Sequence, residues 1–441
     1  MTPNALKTLE RDLRLSKEEL SGIVRSFHAE MDKGLSGRAS SLKMIPTYVD
    51  RPTGREKGRY MALDLGGTNF RVLSLTLNGR GNPPDAQAMK FALRKRDITS
   101  TGGRLFRFLA VSIKRFIKEK KMDISGRVDL GFTFSFPVRQ TGIAGGTLLS
   151  WTKAFNASGV EGRDVVALLK KALKDEGIGN ISVAALTNDT VGTLVAGSYE
   201  DEECDTGVII GTGTNACYVE DIRKIGKLDI PSRRSGAMII NIEWGNFDKL
   251  KATRYDRRLD RESSNPGAQR LEKMVSGMYL GEAFRLIAAD LISRKELFGG
   301  RLRGDFGKKM AFKGEFVSQI LSDRSPGLAG TISLLRRLGV KGPKVEDARM
   351  IKRICELLSA RAARISSAAI FAVITRMDPG MRKRHTVAID GSVYEKLPGF
   401  SAKIRETIGE LSSGKAGRIR VTLTKDGSGR GAAIIAAVSV H

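Results

Sequence analysis

Two acidic residues stand where phosphoryl chemistry would need them. Asp64 ends the apolar run Tyr60–Leu65 beside Gly66-Gly67, and Asp189 follows a second apolar run within Ala184–Gly192, AALTNDTVG. A phosphoryl-transfer site requires a carboxylate that organises magnesium, a base near the acceptor, and cationic or N–H groups for the transferred charge. Asp64 suits the first role, with a turn-capping aspartate as the plain alternative; Asp189 suits the second, with a helix N-cap as its alternative. Lys153, in SWTKAF (Ser150–Phe155), lies between aromatic residues as an anchored cation would, or as a lysine snorkelling over apolar surface. Glycine turns follow four apolar runs, at Gly66–Thr68, Gly211–Thr214, Ala388–Tyr394 and Asp426–Ala433. A turn without Cβ atoms lets backbone N–H groups approach a polyphosphate, and threonine hydroxyls add donors. One such turn is ordinarily structural; four together point to a nucleotide held between two domains. No GxxxxGK[ST] occurs, and no GxGxxG follows a strand and opens a helix. Thr152, Asn188, Asn215, Glu243 and Glu272 are short polar groups near glycines and aromatics, the kind of set a sugar pocket commits to separate hydroxyls. Singly, each reads as a solvated loop residue.

Strands and helices must position these groups. Tyr60–Leu65 and Phe70–Leu77 read as strands joined at Gly66-Gly67, where a tight hairpin needs positive φ. Thr206–Glu220 repeats that grammar roughly 145 residues later, a hint of duplication. Gly162–Lys174 places Val165, Leu168, Leu169 and Leu173 on one helical face, and Leu271–Leu291 and Met350–Met377 behave likewise. Val128–Val138 reads as a β run stopped by Pro137. Strands that alternate with helices predict an α/β protein, and the absence of a linker predicts domains packed around a shared cleft.

Composition bounds the answer. With 441 residues and 41% apolar content, two or three domains with sizeable cores are expected, and disorder is excluded. The longest apolar runs, such as Gly431–Val440, fall short of the ~20 residues of a membrane helix. Met1–Arg14 mixes Lys7, Glu10, Arg11 and Asp12, unlike a secretory signal or transit peptide. Cys204, Cys217 and Cys355 form no disulfide framework or zinc motif. These features predict a soluble, cytoplasmic protein. The net charge of +27 invites a polyanion, yet the densest basic stretches, Arg254–Arg261 and Arg382–His385, are broken by acids or end at once. Loose attraction to anions is expected, without a specific nucleic acid or membrane partner.

Eight ordered segments resemble the eukaryotic-type hexokinase and glucokinase family: DLGGTNFRV (Asp64–Val72), LGFTFSFPVRQTGIAGGTLLSWTKAF (Leu130–Phe155), TNDTVGTLVAGSY (Thr187–Tyr199), IIGTGTNACYVE (Ile209–Glu220), NIEWGNF (Asn241–Phe247), ESSNPGAQRLEKMVSG (Glu262–Gly277), AIDGSVY and DGSGRGAA. The match runs from about Leu42 to the C-terminus. It implies an actin-like, ribonuclease-H-like fold of two α/β domains: residues 1–48 as a helical segment packed on the large domain, 49–188 as the small domain joined again by a C-terminal helix over 430–441, and 189–429 as the large domain. It implies a single catalytic unit, monomer or homodimer, without the apolar N-terminal anchor that some relatives use on mitochondria.

The activity implied is ATP-dependent phosphorylation of a hexose 6-hydroxyl, glucose foremost, as in the first step of glycolysis. Asp189 would be the general base, with Lys153 and Arg71 as catalytic cations. The sugar would meet Ser135, Thr152, Lys153, Asn188, Asp189, Asn215, Glu243 and Glu272. Asp64 would organise Mg²⁺ through water; Gly66, Gly67, Thr68, Asn69, Arg71, Gly211, Thr212, Gly213 and Thr214 would hold the ATP phosphates, and Gly391 and Ser392 would line the adenosine pocket. Sugar-driven domain closure is expected, with hinges near the ends of Asn188–Gly192 and Gly427–Gly431, because an always-assembled site would waste ATP on water. The chain departs from the family at Ala154 and Ala144, both in the sugar-covering flap, and matches poorly between Ser322 and Val345. Two other readings compete. A sugar-responsive regulator on DNA would need a winged or helix-turn-helix module, for which the first 45 residues look too short and uncapped. A kinase for another hexose or an amino sugar would keep the same fold.

Overall fold

The computed structural model describes residues 3–66, 69–82, 84–152, 155–228, 236–300 and 304–440. The chain begins with α1 (Pro3–Leu13) and α2 (Lys17–Leu35). A reciprocal capping box opens α2: Ser16 Oγ accepts from Glu19 N at 3.2 Å, and Glu19 accepts from Ser16 N at 2.8 Å. A two-residue strand, β1 (Ile45–Pro46), follows. Then come β2 (Lys57–Leu65), β3 (Asn69–Asn78) and β4 (Asp85–Ala92), a short α3 (Lys95–Ile98) and α4 (Gly102–Glu119). Next are β5 (Val128–Phe134), the hairpin β6 (Val138–Gly142) and β7 (Gly145–Leu148), α5 (Val165–Asp175) and β8 (Ile181–Thr187). Five of these strands form one sheet in the order β4-β3-β2-β5-β8. β2 is buried continuously from Tyr60 to Leu65, as a strand covered on both faces must be. α4 and α5 close one face over Leu63, Phe70, Phe132 and Leu169.

After α6 (Asp189–Glu200) the chain lays down β9 (Cys204–Ile210), β10 (Thr214–Asp221) and β11 (Ala237–Asn241). Helices α7 (Arg254–Glu262), α8 (Arg270–Val275), α9 (Gly277–Ser293), α10 (Gly314–Ser322), α11 (Ala329–Arg337) and α12 (Val345–Met377) intervene before β12 (His385–Asp390). α13 (Ser392–Lys396), α14 (Phe400–Leu411), β13 (Ile419–Leu423) and α15 (Gly427–Val440) complete the chain. The second sheet runs β1-β11-β10-β9-β12-β13. Apart from β1 at its edge, it repeats the first: three consecutive strands antiparallel, then two parallel strands beside the first of them. The two strand–Gly-Thr–strand units occupy equivalent places, β2–β3 in one sheet and β9–β10 in the other, so the expected duplication is present in the topology.

α6 and α15 fill the space between the sheets, in a core that includes Leu73, Val191, Leu194, Ile239, Ala432 and Ile435. Their backbones touch. A Cβ at Gly431 would lie 1.9 Å from the Gly192 carbonyl oxygen, and one at Gly131 on β5 would lie 1.9 Å from the Ala432 oxygen. The small-residue run GSGRGAA is therefore what lets α15 press against both α6 and the first sheet. Elsewhere α12 has a stretch of membrane-span length and mean hydropathy 1.5, but 78% of that stretch is buried within the fold, where it packs on α2, α8, α9 and α14.

Four expectations need correction. The first 45 residues are not uncapped, since the box at Ser16 caps α2, and Gly66 does not take the positive φ expected at the hairpin. Leu271–Leu291 is not one helix: it breaks at Ser276, which is extended at φ −78°, ψ 153°. There Gly277 N donates to the Gly211 carbonyl at 2.8 Å and Met278 N to that of Thr212 at 3.2 Å, so the glycine turn after β9 takes up N–H groups that a continuous helix would use internally. The Val128 run ends at Phe134, before Pro137, and Val138 opens a new hairpin.

Glu30 shows how α2 is tied to the chain after it. Its buried carboxylate accepts from Lys33 Nζ (2.7 Å), Ser41 N (2.7 Å) and the hydroxyls of Ser40 and Ser41 (both 3.0 Å). Burial pushes its pKa up, but these hydrogen bonds prevail and hold it at about 2, against a usual 4.5. Their stabilisation is complete above the usual value and is lost as pH falls towards 2. Glu30→Gln should therefore flatten the pH dependence of stability across that interval, read from denaturant midpoints at stepped pH.

Candidate active site

The antiparallel register sets Asp64, near the end of β2, opposite Arg71 on β3, and Arg71 opposite Lys90 on β4. Arg71 Nη2 donates to Asp64 Oδ2 at 2.6 Å, and Nε to the same oxygen at 3.2 Å. Its other terminal nitrogen donates to Asp426, just before α15. Burial opposes the charge on Arg71, but the two carboxylates outweigh it and raise the pKa. Ser428, in the first turn of α15, donates to Asp64 Oδ2 at 2.8 Å and accepts from Arg71 at 3.2 Å. The C-terminal helix thus ties down Asp64 and Arg71 from far along the sequence.

A cavity of about 330 Å³ opens here, lined by Asp64, Gly66, Arg71, Lys90, Ser135, Asp189 and Ser428. Asp189 is the first residue of α6, and the cap is its neighbour: Asn188 Oδ1 accepts from Val191 N at 2.9 Å. The plain alternative for Asp189, an N-cap, therefore falls to Asn188 and leaves the Asp189 side chain free to line the cavity. Arg71 is neutralised by two carboxylates, whereas Lys90 is exposed and forms no ion pair among the described residues. The register alone brings that lysine to the site.

A second polar group sits on the other sheet. Asn215 Nδ2, on β10, donates to Asn241 Oδ1 (2.8 Å) and Glu243 Oε1 (3.1 Å), and Asn241 Nδ2 donates to the same Glu243 oxygen (2.9 Å). Glu243 takes a left-handed conformation at φ 58°, a strain that stays only where the surroundings enforce it. Glu272 Oε2 accepts from Thr214 N at 2.9 Å, and Thr214 Oγ1 accepts from the buried Trp244 indole at 2.9 Å. Gln269 closes the edge: a Cβ at Gly245 would meet its Oε1 at 2.3 Å. Asn215 shares a strand face with Cys217, two residues on, whose sulfur is 3.2 Å from the carbonyl of Thr190. That face of β10 therefore packs on the first turn of α6.

At the turn after β9, Gly391 (φ 122°) approaches so closely that a Cβ would meet Ile210 C and O at 2.5 Å, and Gly211 lies against it. Gly211 thus adjoins Gly391 and Ser392, and Thr212 and Ser392 are exposed. No described hydrogen bond joins this turn to that of Gly66. Trp151 and Phe155 stack (centroids 5.3 Å apart) and pack on Phe136, and the Trp151 indole donates to the Ala157 carbonyl at 2.9 Å. They anchor the flap and leave Thr152 exposed, with no hydrogen bond to Asp189 or the polar cluster. Gly67, Thr68, Lys153 and the side chain of Asn69 lie outside the described residues, as does Ala154.

Two family models, each described as hexokinase, match this chain, one over residues 5–199 and the other over residues 205–438. Hexokinase-1 of Oryza sativa subsp. japonica is 43% identical over 443 residues, covering 95% of this chain and 87% of its own length. This chain belongs to the hexokinase family. Human Hexokinase-2 is 40% identical over 97% of the chain but only 47% of its own length, so the chain spans about half the length of the mammalian hexokinases it matches. The hexokinase from Schistosoma mansoni, solved in complex with glucose, superposes with a TM-score of 0.88 at 36% identity, covering 98% of both chains. The two repeated sheets are thus a hexokinase fold of the actin-like ATPase class.

Within this hexokinase framework, the predicted residues fall into two sets: Asp64, Gly66, Arg71 and Ser135 share a cavity with Asp189, and Asn215, Glu243 and Glu272 gather at the second sheet, while Asn188 caps α6. The motifs by themselves do not single out Lys90, Asn241, Gln269, Asp426 and Ser428. Four of these sit inside or just before quoted segments and were legible as neighbours; Lys90, a lone exposed strand lysine, carried no signal. Magnesium fits the carboxylate present. Asp64 Oδ1 has no partner among the described residues, and no group of three or more metal-binding side chains occurs among them. That suits a cation held by one carboxylate through water and by substrate phosphates.

Proposed function

We propose that this chain transfers the γ-phosphate of MgATP to the 6-hydroxyl of a hexose, glucose first, with Asp189 as general base. The observation that carries the reading is the single cavity that Asp189 shares with Asp64, Arg71, Ser135 and Lys90. In the proposed reaction the sugar O6 bonds to the γ-phosphorus, the bond to the bridging oxygen breaks, ADP leaves, and the O6 proton passes to the Asp189 carboxylate. A largely dissociative transition state asks mainly for positioning and charge, with proton removal late. Bound magnesium, placed by Asp64, would neutralise charge on the phosphates. Glu243, held through Oε1 by Asn215 and Asn241, and Glu272, held through Oε2 by Thr214 N, suit acceptors for sugar hydroxyls. The glucose complex of the Schistosoma hexokinase supports the sugar class. Closure would bring the two sets together about the starts of α6 and α15. We also place the protein in the cytoplasm: its three cysteines are buried and free, as suits a reducing compartment.

The test is coupled glucose 6-phosphate formation with MgATP. Turnover with glucose is expected; no turnover with any common hexose would overturn the reading. Lys90 gives a finer check. As the cation in the cavity that no carboxylate neutralises, it should meet the ATP phosphates. Lys90→Ala should raise the KM for MgATP about ten-fold, the scale of one charge-assisted hydrogen bond, with the KM for glucose unchanged.

A further inference from the structure

A second recess, about 420 Å³, opens on the outer side of α7 and α8 and takes no part in the site above. Its floor is apolar, with Leu250, Leu259 and Met274. Its two acids are already paired. Asp256 takes both terminal nitrogens of the buried Arg361, at 2.7 and 2.8 Å, and Asp260 accepts from the buried Lys273 Nζ at 2.6 Å. Three arginines rim it, Arg257, Arg261 and Arg270, all exposed. None forms an ion pair among the described residues, and Arg257 bonds only the Ala252 carbonyl, at 2.8 Å. The recess therefore presents, above an apolar floor, three arginines that form no ion pair among the described residues, and gives the basic stretch Arg254–Arg261 a local purpose.

We propose that this recess binds a phosphate-bearing organic anion with an apolar or planar body, and that its occupancy is felt at the sugar cluster through α8. Guanidinium forks pair with phosphate bidentately and stack on planar groups, while the floor removes the body from water. The volume falls within the usual range for small-molecule sites. Inorganic phosphate would use the rim and gain nothing from the floor. The route to the sugar cluster is short. Lys273 follows Glu272 on the six-residue α8, and its ammonium also holds the Asn265 carbonyl at 2.7 Å, at the start of the loop that presents Gln269. Moving one end of so short a helix moves the other. The coupling rests on the sugar reading above; the binding does not.

The test uses calorimetry on the full chain with phenyl phosphate, inorganic phosphate and phenol at fixed ionic strength, for the native protein and for the double variant Arg261→Ser/Arg270→Ser. Phenyl phosphate should bind the native protein at least ten-fold tighter than either fragment, and the double variant should lose at least ten-fold in that affinity while its hexose phosphorylation without phenyl phosphate is unchanged. Equal binding by native and variant chains, or equal affinity for phosphate and phenyl phosphate, overturns the site. For the coupling, the glucose dissociation constant should shift at least two-fold when phenyl phosphate is saturating, and the phenyl phosphate constant should shift by the same factor with glucose. Intact binding with no shift overturns the coupling alone. A chain that phosphorylates no hexose overturns the function above yet leaves the direct binding result readable.

Discussion

Asp189→Asn should lower turnover with glucose and MgATP by a factor of about 10²–10⁴, the contribution of a positioned general base, and should leave the fold in place. Asparagine keeps the volume and an oxygen for the Thr190 hydroxyl, which donates to Asp189 Oδ1 at 3.2 Å. It also leaves the Asn188 cap on Val191 N untouched, so the first turn of α6 holds its position. Only the proton acceptor is lost. The prediction therefore has two parts: kcat collapses in the coupled assay, while the glucose dissociation constant measured by calorimetry stays within a few-fold. Turnover within ten-fold of the native value would show that proton removal does not depend on Asp189. A parallel loss of glucose affinity would assign the residue to sugar binding instead.

Gly431→Ala should be among the most destabilising single methyl additions in the chain. Alanine in place of glycine inside a helix normally gains about 1 kcal/mol. Here the added Cβ would lie 1.9 Å from the Gly192 carbonyl oxygen and 2.5 Å from its Cα. These are backbone atoms of a packed helix and cannot swing aside, so α6 and α15 must part. Overpacking of this kind costs about 1–3 kcal/mol, occasionally more, and here it also loosens the core between the sheets. We expect a net loss of about 3 kcal/mol in denaturant unfolding. Activity should fall too, because α15 carries the Ser428 hydroxyl that holds Asp64. Gly409→Ala is the matched control. It lies within α14 with nothing inside 4 Å of the added atom, so a gain of about 0.5–1 kcal/mol is expected. A Gly431 variant as stable as the native chain would mean that the helices can separate freely.

Local signals were the ones legible in advance. The strands on either side of Gly66-Gly67 and of Gly211–Gly213, the helix over Val165–Asp175 and the α/β alternation follow from turn chemistry and periodicity. Signals that depended on continuity failed. The apolar pattern across Leu271–Leu291 runs unbroken through Ser276, because the break comes from the carbonyls of Gly211 and Thr212, which are more than sixty residues away. Lys90 was invisible for the same kind of reason: its meaning comes from standing opposite Arg71 in the register.

The residue types and their spacing were enough to place the family, to point towards phosphoryl chemistry and to hint at the repeated strand–turn–strand plan, since glycine turns, capping residues and buried strands are encoded within a few neighbours. Which groups act together was decided only in three dimensions. Asp64 meets Ser428 across 364 positions of chain, and Asn215 meets Glu243 across 28. The glycines at 192 and 431 matter only because two helices cross there. Contacts of this kind arise when sheets and helices bury their apolar faces against each other, and that burial depends on the whole fold rather than on any one segment.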